Sequence, residues 1–142
     1  MSHTPDYLAM TIADKLLRKH EGTRQFVYQC TGGYWSIAVG RNLQTRGVLP
    51  DEIELMLSND IKACVDDLKG FEWWDDMTPN RKAALIDLRF CLGAAGFRKF
   101  KKMLAALDAG DYRAAAEQIM DSKFALQTGH RAADLAGLMR VG

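Results

Sequence analysis

Residues 20–43 read HEGTRQFVYQCTGGYWSIAVGRNL, and this stretch decides the fold. Its two apolar runs, 25–29 and 34–39, are rich in the aromatic and β-branched residues that favour strands. Between them lies 31–33, a Thr-Gly-Gly sequence typical of tight turns. The stretch therefore predicts a β-hairpin. Residues 41–48 predict a short third strand beside it.

Helical patterns lie on both sides of this hairpin. Leu8, Ile12 and Leu16 repeat every four residues after Pro5, which predicts a first helix that stops at Gly22. All later segments are helical in pattern. We predict that one helix begins at Pro50 and that another begins at Pro79 and stops at Gly93. Three more helices are predicted over residues 97–107, 111–120 and about 130–139.

Length and composition fit one globular domain, since the chain has 142 residues of which 48% are hydrophobic. The order of elements predicts an α+β fold with a hairpin lobe at about 21–48, a helical lobe at about 51–142, and an active-site cleft between them. The apolar fraction and a net charge of +1 exclude a disordered chain. Residues 1–6 lack the features of a signal peptide and no apolar run is long enough to span a membrane, which predicts that the chain begins in a cytoplasm.

Charge is distributed unevenly along the chain. Residues 51–80 sum to −7, whereas residues 81–102 sum to +6. The basic block either faces an anionic polymer or forms a solvated helix face that balances the acidic block. The charge pattern leaves both interpretations open.

The three cysteines have no CxxC spacing, which predicts free thiols in a reducing compartment. Cys64 and Cys91 lie on helices among apolar residues, so we predict that both are in the core. Cys30 follows a strand and precedes the turn. It is either a small buried side chain or a reactive thiol whose pKa Arg24 and Arg41 could lower.

Few other residues indicate chemistry by themselves. Glu21 is a candidate general acid, because the negative end of a helix dipole disfavours its charged form; the alternative is an ordinary exposed glutamate. Ser36 is a hydroxyl among apolar residues, which either holds a water or bonds to the backbone. The dispersed histidines and the absence of nucleic-acid motifs predict no metal, no cofactor and no nucleic-acid partner.

Taken in order, several fragments resemble the phage-type lysozymes, the endolysins of glycoside hydrolase family 24 typified by the lysozyme of the T-even phages. The resemblance covers roughly residues 8–140. Its fragments are 20–22, 28–30, 33–37 and 40–43 in the hairpin region and 56–57, 60–61, 81–85, 90–93, 122–124, 127 and 131–132 in the helical region.

This resemblance implies a monomeric two-lobed enzyme that cleaves the β-1,4 bond between N-acetylmuramic acid and N-acetylglucosamine in peptidoglycan and so lyses the host cell. Without an export signal, such an enzyme needs a separate membrane pore to reach the wall, or delivery within a phage particle. The basic block 81–102 could also touch an anionic outer membrane. Two alternatives stay open on the same fold: a non-catalytic wall-binding module and a lytic transglycosylase.

Residue by residue, the resemblance implies a catalytic set of Glu21, Cys30 and Ser36. Glu21 falls on the family's general acid, Cys30 on a position where the best-known members have Asp, and Ser36 on one where they have Thr. A Glu-Cys-Thr set resembles a recurring variant of the family. The substrate-binding residues implied in the same way are Tyr28, Arg41, Phe124, Gln127 and Arg131.

Two departures from the family pattern bear on activity. No Asp or Glu lies between Glu21 and Asp51, so the hairpin cannot supply the usual second carboxylate. A Cys30 thiolate can instead accept a proton from water, which suggests inversion at the anomeric carbon, or stabilise positive charge that develops on the sugar. The family's Gly-x-Gly becomes Ala38-Val39-Gly40, and an Ala that must adopt positive φ costs about 1 kcal/mol.

Overall fold

The structure is a computed structural model that describes residues 6–142. The predicted helix start at Pro5 lies outside the described residues, as do residues 1–5 of the segment on which the signal-peptide prediction rests. The described residues form seven helices and one three-stranded antiparallel sheet, which confirms the α+β class. The elements are α1 Tyr7–Glu21, β1 Arg24–Gln29, β2 Trp35–Ala38, β3 Arg41–Asn42, α2 Pro50–Leu68, α3 Pro79–Arg98, α4 Lys101–Asp108, α5 Tyr112–Met120, α6 Lys123–Thr128 and α7 His130–Val141.

The chain divides into two compact units, and the boundary lies between Ile53 and Glu54 in the first turn of α2. The N-terminal unit contains α1 and the sheet. Its strands are ordered β1-β2-β3, and Tyr28 on β1 pairs with Ser36 on β2. The predicted hairpin over 25–39 is therefore confirmed.

The third strand is shorter than the predicted 41–48, because it ends at Asn42. The Oδ1 atom of Asn42 accepts hydrogen bonds from the backbone N–H groups of Gln44, at 3.0 Å, and Thr45, at 3.1 Å. An Asn side chain that bonds to the backbone in this way replaces the ladder hydrogen bonds of a strand with a turn.

The C-terminal unit is helical around one buried core. Leu85 and Leu88 on α3 are fully buried. Gly93 breaks α3 with φ 74° and ψ 171°, at the residue where the sequence predicts that the helix stops. The core also includes Leu68, Trp73, Trp74, Met77, Phe97, Met103, Leu107, Ile119, Phe124, Leu135 and Met139.

The short helix α6 has no counterpart among the predicted helices. It begins at Ser122, whose hydroxyl accepts a hydrogen bond from the backbone N–H of Ala125 at 3.1 Å. Six residues are too few to show a helical repeat of apolar positions, so this capped turn carries no periodic signal. Of the helices within residues 6–142, none is long and apolar enough to cross a membrane.

Asp67 on α2 holds α3 on both sides of the break at Gly93. Its carboxylate accepts a hydrogen bond from Arg89 Nε at 2.7 Å, before the break, and from Arg98 Nη2 at 2.8 Å, after it. These hydrogen bonds, first from Arg98 and then from Arg89, lower the pKa of Asp67 to about 2. Asp67 is therefore a charged tie between α2 and both segments of α3.

Candidate active site

Glu21 is the last residue of α1, and its side chain is exposed. Gly22 ends the helix with φ 75° and donates its N–H to the carbonyl of Arg18 at 3.0 Å. The carboxyl group of Glu21 lies against the turn between β2 and β3, at Gly40. The structure therefore places the predicted general acid at the edge of the sheet.

The turn at Gly40 leaves room for the Glu21 carboxyl group only because Gly40 lacks a side chain. A Cβ atom built on Gly40 would lie 2.7 Å from Glu21 Oε2. Gly40 also has φ 65°, a conformation that favours glycine. This positioning role was missed by the sequence reasoning, although a Gly at the end of a tight strand connection is a recognisable signal.

Ala38, the last residue of β2 before the same turn, adopts φ 58° and is the one non-glycine residue with positive φ within the described range. The backbone at the first position of the family's Gly-x-Gly pattern therefore does adopt positive φ in this chain, although the residue there is alanine. Alanine there is strained by about 1 kcal/mol relative to glycine. The turn nevertheless forms in this conformation.

Cys30 lies half-buried just after β1, where its backbone N–H donates to the carbonyl of Tyr34 at 2.9 Å. Hydrogen bonds from the backbone at Tyr34 and Gly32, and a weaker one from the Ser36 hydroxyl, lower the pKa of the Cys30 thiol below its ordinary value. Burial acts in the opposite direction but does not prevail. The loop conformation thus favours a Cys30 thiolate.

The expected cause of this shift was wrong. Arg24 and Arg41 do not act on Cys30, because each has another partner. The guanidinium of Arg24 lies over the ring of Tyr28, 4.2 Å from its centroid. Arg41 forms an ion pair with Glu52. The pKa of Cys30 is lowered by backbone amides of the folded loop and not by the predicted cations Arg24 and Arg41.

Ser36 is buried at 2% exposure on β2, and its hydroxyl donates a long hydrogen bond of 3.4 Å to the carbonyl of Tyr34. Of the two predicted roles of the Ser36 hydroxyl, the hydrogen bond to the backbone is therefore observed. The same hydroxyl also favours the Cys30 thiolate, so the structure brings these two residues together. Tyr28, their partly buried neighbour, is directly opposite Ser36 in the strand register.

Arg41 is held by two acceptors within the N-terminal unit. Besides its ion pair with Glu52, it donates to the carbonyl of Gly47 at 3.4 Å. The hydrogen bond from Arg41, with one from the backbone N–H of Leu49, lowers the pKa of Glu52 to about 2. Arg41 thus fixes the loop that follows β3.

The predicted substrate-binding residues of the C-terminal unit lie in two places. Phe124 and Gln127 on α6 line one concavity of about 600 Å³, although Phe124 is only 4% exposed because its ring packs into the core. Arg131 on α7 is half-buried and donates from Nε to Asp87 at 2.7 Å. The structure brings Phe124 and Gln127 together at one surface.

Of the two cysteines predicted in the core, one is there. Cys64 is 3% exposed, and burial raises the pKa of its thiol. Cys91 is exposed, so its predicted burial is wrong. It lies on the last helical turn before the break at Gly93, where Phe90 is exposed as well. Within residues 6–142, no three His, Cys, Asp or Glu side chains gather as potential metal ligands.

A family model described as phage lysozyme matches residues 18–140, a range that includes Glu21, Cys30, Ser36 and the concavity of α6. The chain belongs to the phage lysozyme family. This confirms the resemblance stated from the sequence fragments.

Two curated proteins illustrate the relationship of this phage lysozyme family member to phage proteins. An endolysin of Acyrthosiphon pisum secondary endosymbiont phage 1 is 32% identical over 92% of this chain and 92% of its own length. The pre-baseplate central spike protein Gp5 of Enterobacteria phage T4 is 26% identical over 98% of this chain. The chain spans only 29% of the spike protein's length.

Proposed function

We propose that this chain is an endolysin that hydrolyses the β-1,4 bond between N-acetylmuramic acid and N-acetylglucosamine in peptidoglycan. Membership of the phage lysozyme family and the similarity to an endolysin support the lytic activity. The observation that carries the proposal is the placement of the Glu21 carboxyl group against Gly40, beside a hairpin that offers the Cys30 thiol and no second carboxylate.

In the proposed reaction Glu21 is the general acid. Its proton goes to the glycosidic oxygen as the bond from the anomeric carbon to that oxygen breaks. The exposed position of Glu21 at the helix end, with its carboxyl group set by Gly40, leaves it reachable by a long glycan.

Cys30 is the proposed base. Its thiolate takes a proton from a water molecule as the water oxygen bonds to the anomeric carbon. Each turnover thus removes one proton from Glu21 and adds one to Cys30. The Ser36 hydroxyl donates to the carbonyl of Tyr34 in the structure, and in the proposed reaction it turns its single O–H toward the thiolate. A single displacement by water inverts the anomeric configuration.

Substrate contacts are proposed for Tyr28, Arg41, Phe124, Gln127 and Arg131. The shared concavity of Phe124 and Gln127 supports a binding role, since it joins an aromatic edge to an amide that can bond to sugar hydroxyl and acetamido groups. A single lysozyme-like catalytic domain, a monomeric state and passage to the wall through a separate pore are parts of the same proposal.

Mass spectrometry of the fragments released from purified peptidoglycan tests this function. The proposal predicts fragments with reducing N-acetylmuramic acid ends that carry one added water. Anhydro ends would assign a lytic transglycosylase instead. Retention on the wall without any released fragment would assign a binding module, for which the strained Ala38 at φ 58° is the favouring observation.

A further inference from the structure

One peptide group, formed by the C=O of Tyr34 and the N–H of Trp35, links the surroundings of Cys30 to the loop that follows β3. Its carbonyl accepts the backbone N–H of Cys30 at 2.9 Å and, more weakly, the hydroxyl of Ser36 at 3.4 Å. Its N–H donates to Oε1 of Gln44 at 2.6 Å. Because a peptide group is planar, its two ends cannot turn independently. The Gln44 side chain therefore also fixes the direction of the carbonyl.

Gln44 supplies an acceptor in place of the third strand. The carbonyl of Trp35 accepts the N–H of Leu43 at 2.8 Å, which makes these two residues a hydrogen-bonded pair. In a regular antiparallel ladder such a pair exchanges two hydrogen bonds, and the second would run from the Trp35 N–H to the carbonyl of Leu43. Here β3 has already ended at Asn42, and the side chain of Gln44 accepts that N–H instead.

The turn after β3 places Gln44 for this contact. Oδ1 of Asn42 accepts the N–H groups of Gln44 and Thr45, at 3.0 Å and 3.1 Å, and so fixes the backbone from which the side chain extends. Gln44 is exposed, and an exposed side chain loses rotamer freedom when it is held in one direction. The net gain in stability from its single hydrogen bond is therefore small. The direct consequence of the contact is a fixed Tyr34–Trp35 peptide group.

We infer that Gln44 is a positioning residue for Cys30, an inference that rests on the proposed role of Cys30 as the base. Gln44 acts through the Tyr34–Trp35 peptide group. An acceptor on the N–H of this group polarises its carbonyl, which strengthens the bond from the carbonyl to the Cys30 N–H. The backbone at Tyr34 is also the first cause that lowers the pKa of the Cys30 thiol. Loss of the Gln44 acceptor should therefore loosen Tyr34 and raise that pKa.

The pH dependence of Cys30 alkylation by iodoacetamide tests this role, with peptide mapping to separate Cys30 from Cys64 and Cys91. The reagent attacks the thiolate, so the pH at half-maximal rate reports the pKa of the thiol. Gln44→Met keeps the length of the side chain but removes its amide, and it should raise this midpoint by about 0.5 pH units. Gln44→Glu keeps an acceptor oxygen. It should retain the parent midpoint at high salt, where its added charge is screened.

Gln25→Met is the matched control, since Gln25 is an exposed glutamine on β1, and its midpoint should equal that of the parent. An unchanged midpoint in Gln44→Met, an equal rise in Gln25→Met, or an equal rise in Gln44→Glu would each overturn the inference. Because alkylation needs no substrate, a raised midpoint in Gln44→Met of a chain that releases no fragments from peptidoglycan would contradict the glycosidase proposal and leave the positioning role of Gln44 standing.

Discussion

The carboxyl group of Glu21 and the backbone of Gly40 are so close that no side chain fits between them. A Cβ atom on Gly40 would lie 2.7 Å from Glu21 Oε2 and 2.9 Å from Glu21 Cδ. The turn between β2 and β3 therefore packs directly against the carboxyl group of Glu21, the residue proposed to donate the proton.

Replacing Gly40 with alanine should displace the Glu21 carboxyl group. We expect Gly40→Ala to lower kcat on the order of 10- to 100-fold, because small displacements of a catalytic group have effects of that size. The variant should also lose about 1 kcal/mol of stability, since alanine is strained at φ 65°. Rates on purified peptidoglycan and thermal melting measure the two effects separately.

Gly47→Ala is the matched control for Gly40→Ala. Gly47 has φ 64°, yet a Cβ atom there meets nothing within 4 Å. It should therefore show the same loss of stability with nearly unchanged kcat. Equal activity losses in both variants would contradict the positioning role of Gly40.

Ala38→Gly should stabilise the chain. Glycine relieves the strain of φ 58°, which we expect to raise the free energy of unfolding by about 1 kcal/mol despite the added freedom of the unfolded chain. Denaturant unfolding measures the gain. The same substitution at Ala9, inside α1, should instead lose about 1 kcal/mol; a loss at both positions would show that Ala38 is not strained.

The three cysteines should respond differently to replacement by alanine. Cys30→Ala should reduce kcat at least about 100-fold, because the proposed base is lost, whereas Cys30→Asp should keep substantial activity. Cys64→Ala should reduce stability by about 1 kcal/mol through a small cavity. Exposed Cys91 should tolerate alanine in both assays.

Alkylation provides a second measure of Cys30. The lowered pKa of Cys30 means that its thiolate persists at a lower pH than that of an ordinary cysteine, whereas burial raises the pKa of Cys64. Cys30 should therefore be alkylated at a lower pH than Cys64. Peptide mapping identifies the modified residue. An active Cys30→Ala enzyme would refute the role of Cys30 as the base.

Asp67→Asn should destabilise the C-terminal unit by about 1–2 kcal/mol at neutral pH, because Arg89 and Arg98 lose their shared carboxylate. The pKa of Asp67 is about 2 in the folded state, below the ordinary value of about 3.9. Its contribution is therefore complete above about pH 4 and is lost as the pH falls toward 2.

Thermal melting from pH 7 to pH 2 checks this dependence. The difference in Tm between the parent and Asp67→Asn should shrink as the pH falls below about 4. The neighbouring substitution Asp66→Asn removes a more exposed ion pair with Lys62 and should change Tm little. A constant difference for Asp67→Asn at all pH values would contradict the charged tie.

The sequence predicts the elements whose signals are local. Apolar repeats locate α1, α2 and α3, and the Thr-Gly-Gly turn locates the hairpin. Interactions between distant residues decide the rest: the amides that act on Cys30 belong to a folded loop, and the approach of Glu21 to Gly40 joins residues 19 positions apart. Cys91 was misplaced because a helical pattern does not show which part of a helix other elements cover.

Glu21→Gln tests the central claim most directly, with the release of new reducing ends from purified peptidoglycan as the measurement. Glutamine keeps the size and hydrogen bonding of Glu21 but cannot donate a proton as an acid. We predict a loss in rate of at least about 100-fold with an unchanged melting temperature. A Glu21→Gln variant that releases reducing ends at nearly the parent rate would contradict the account.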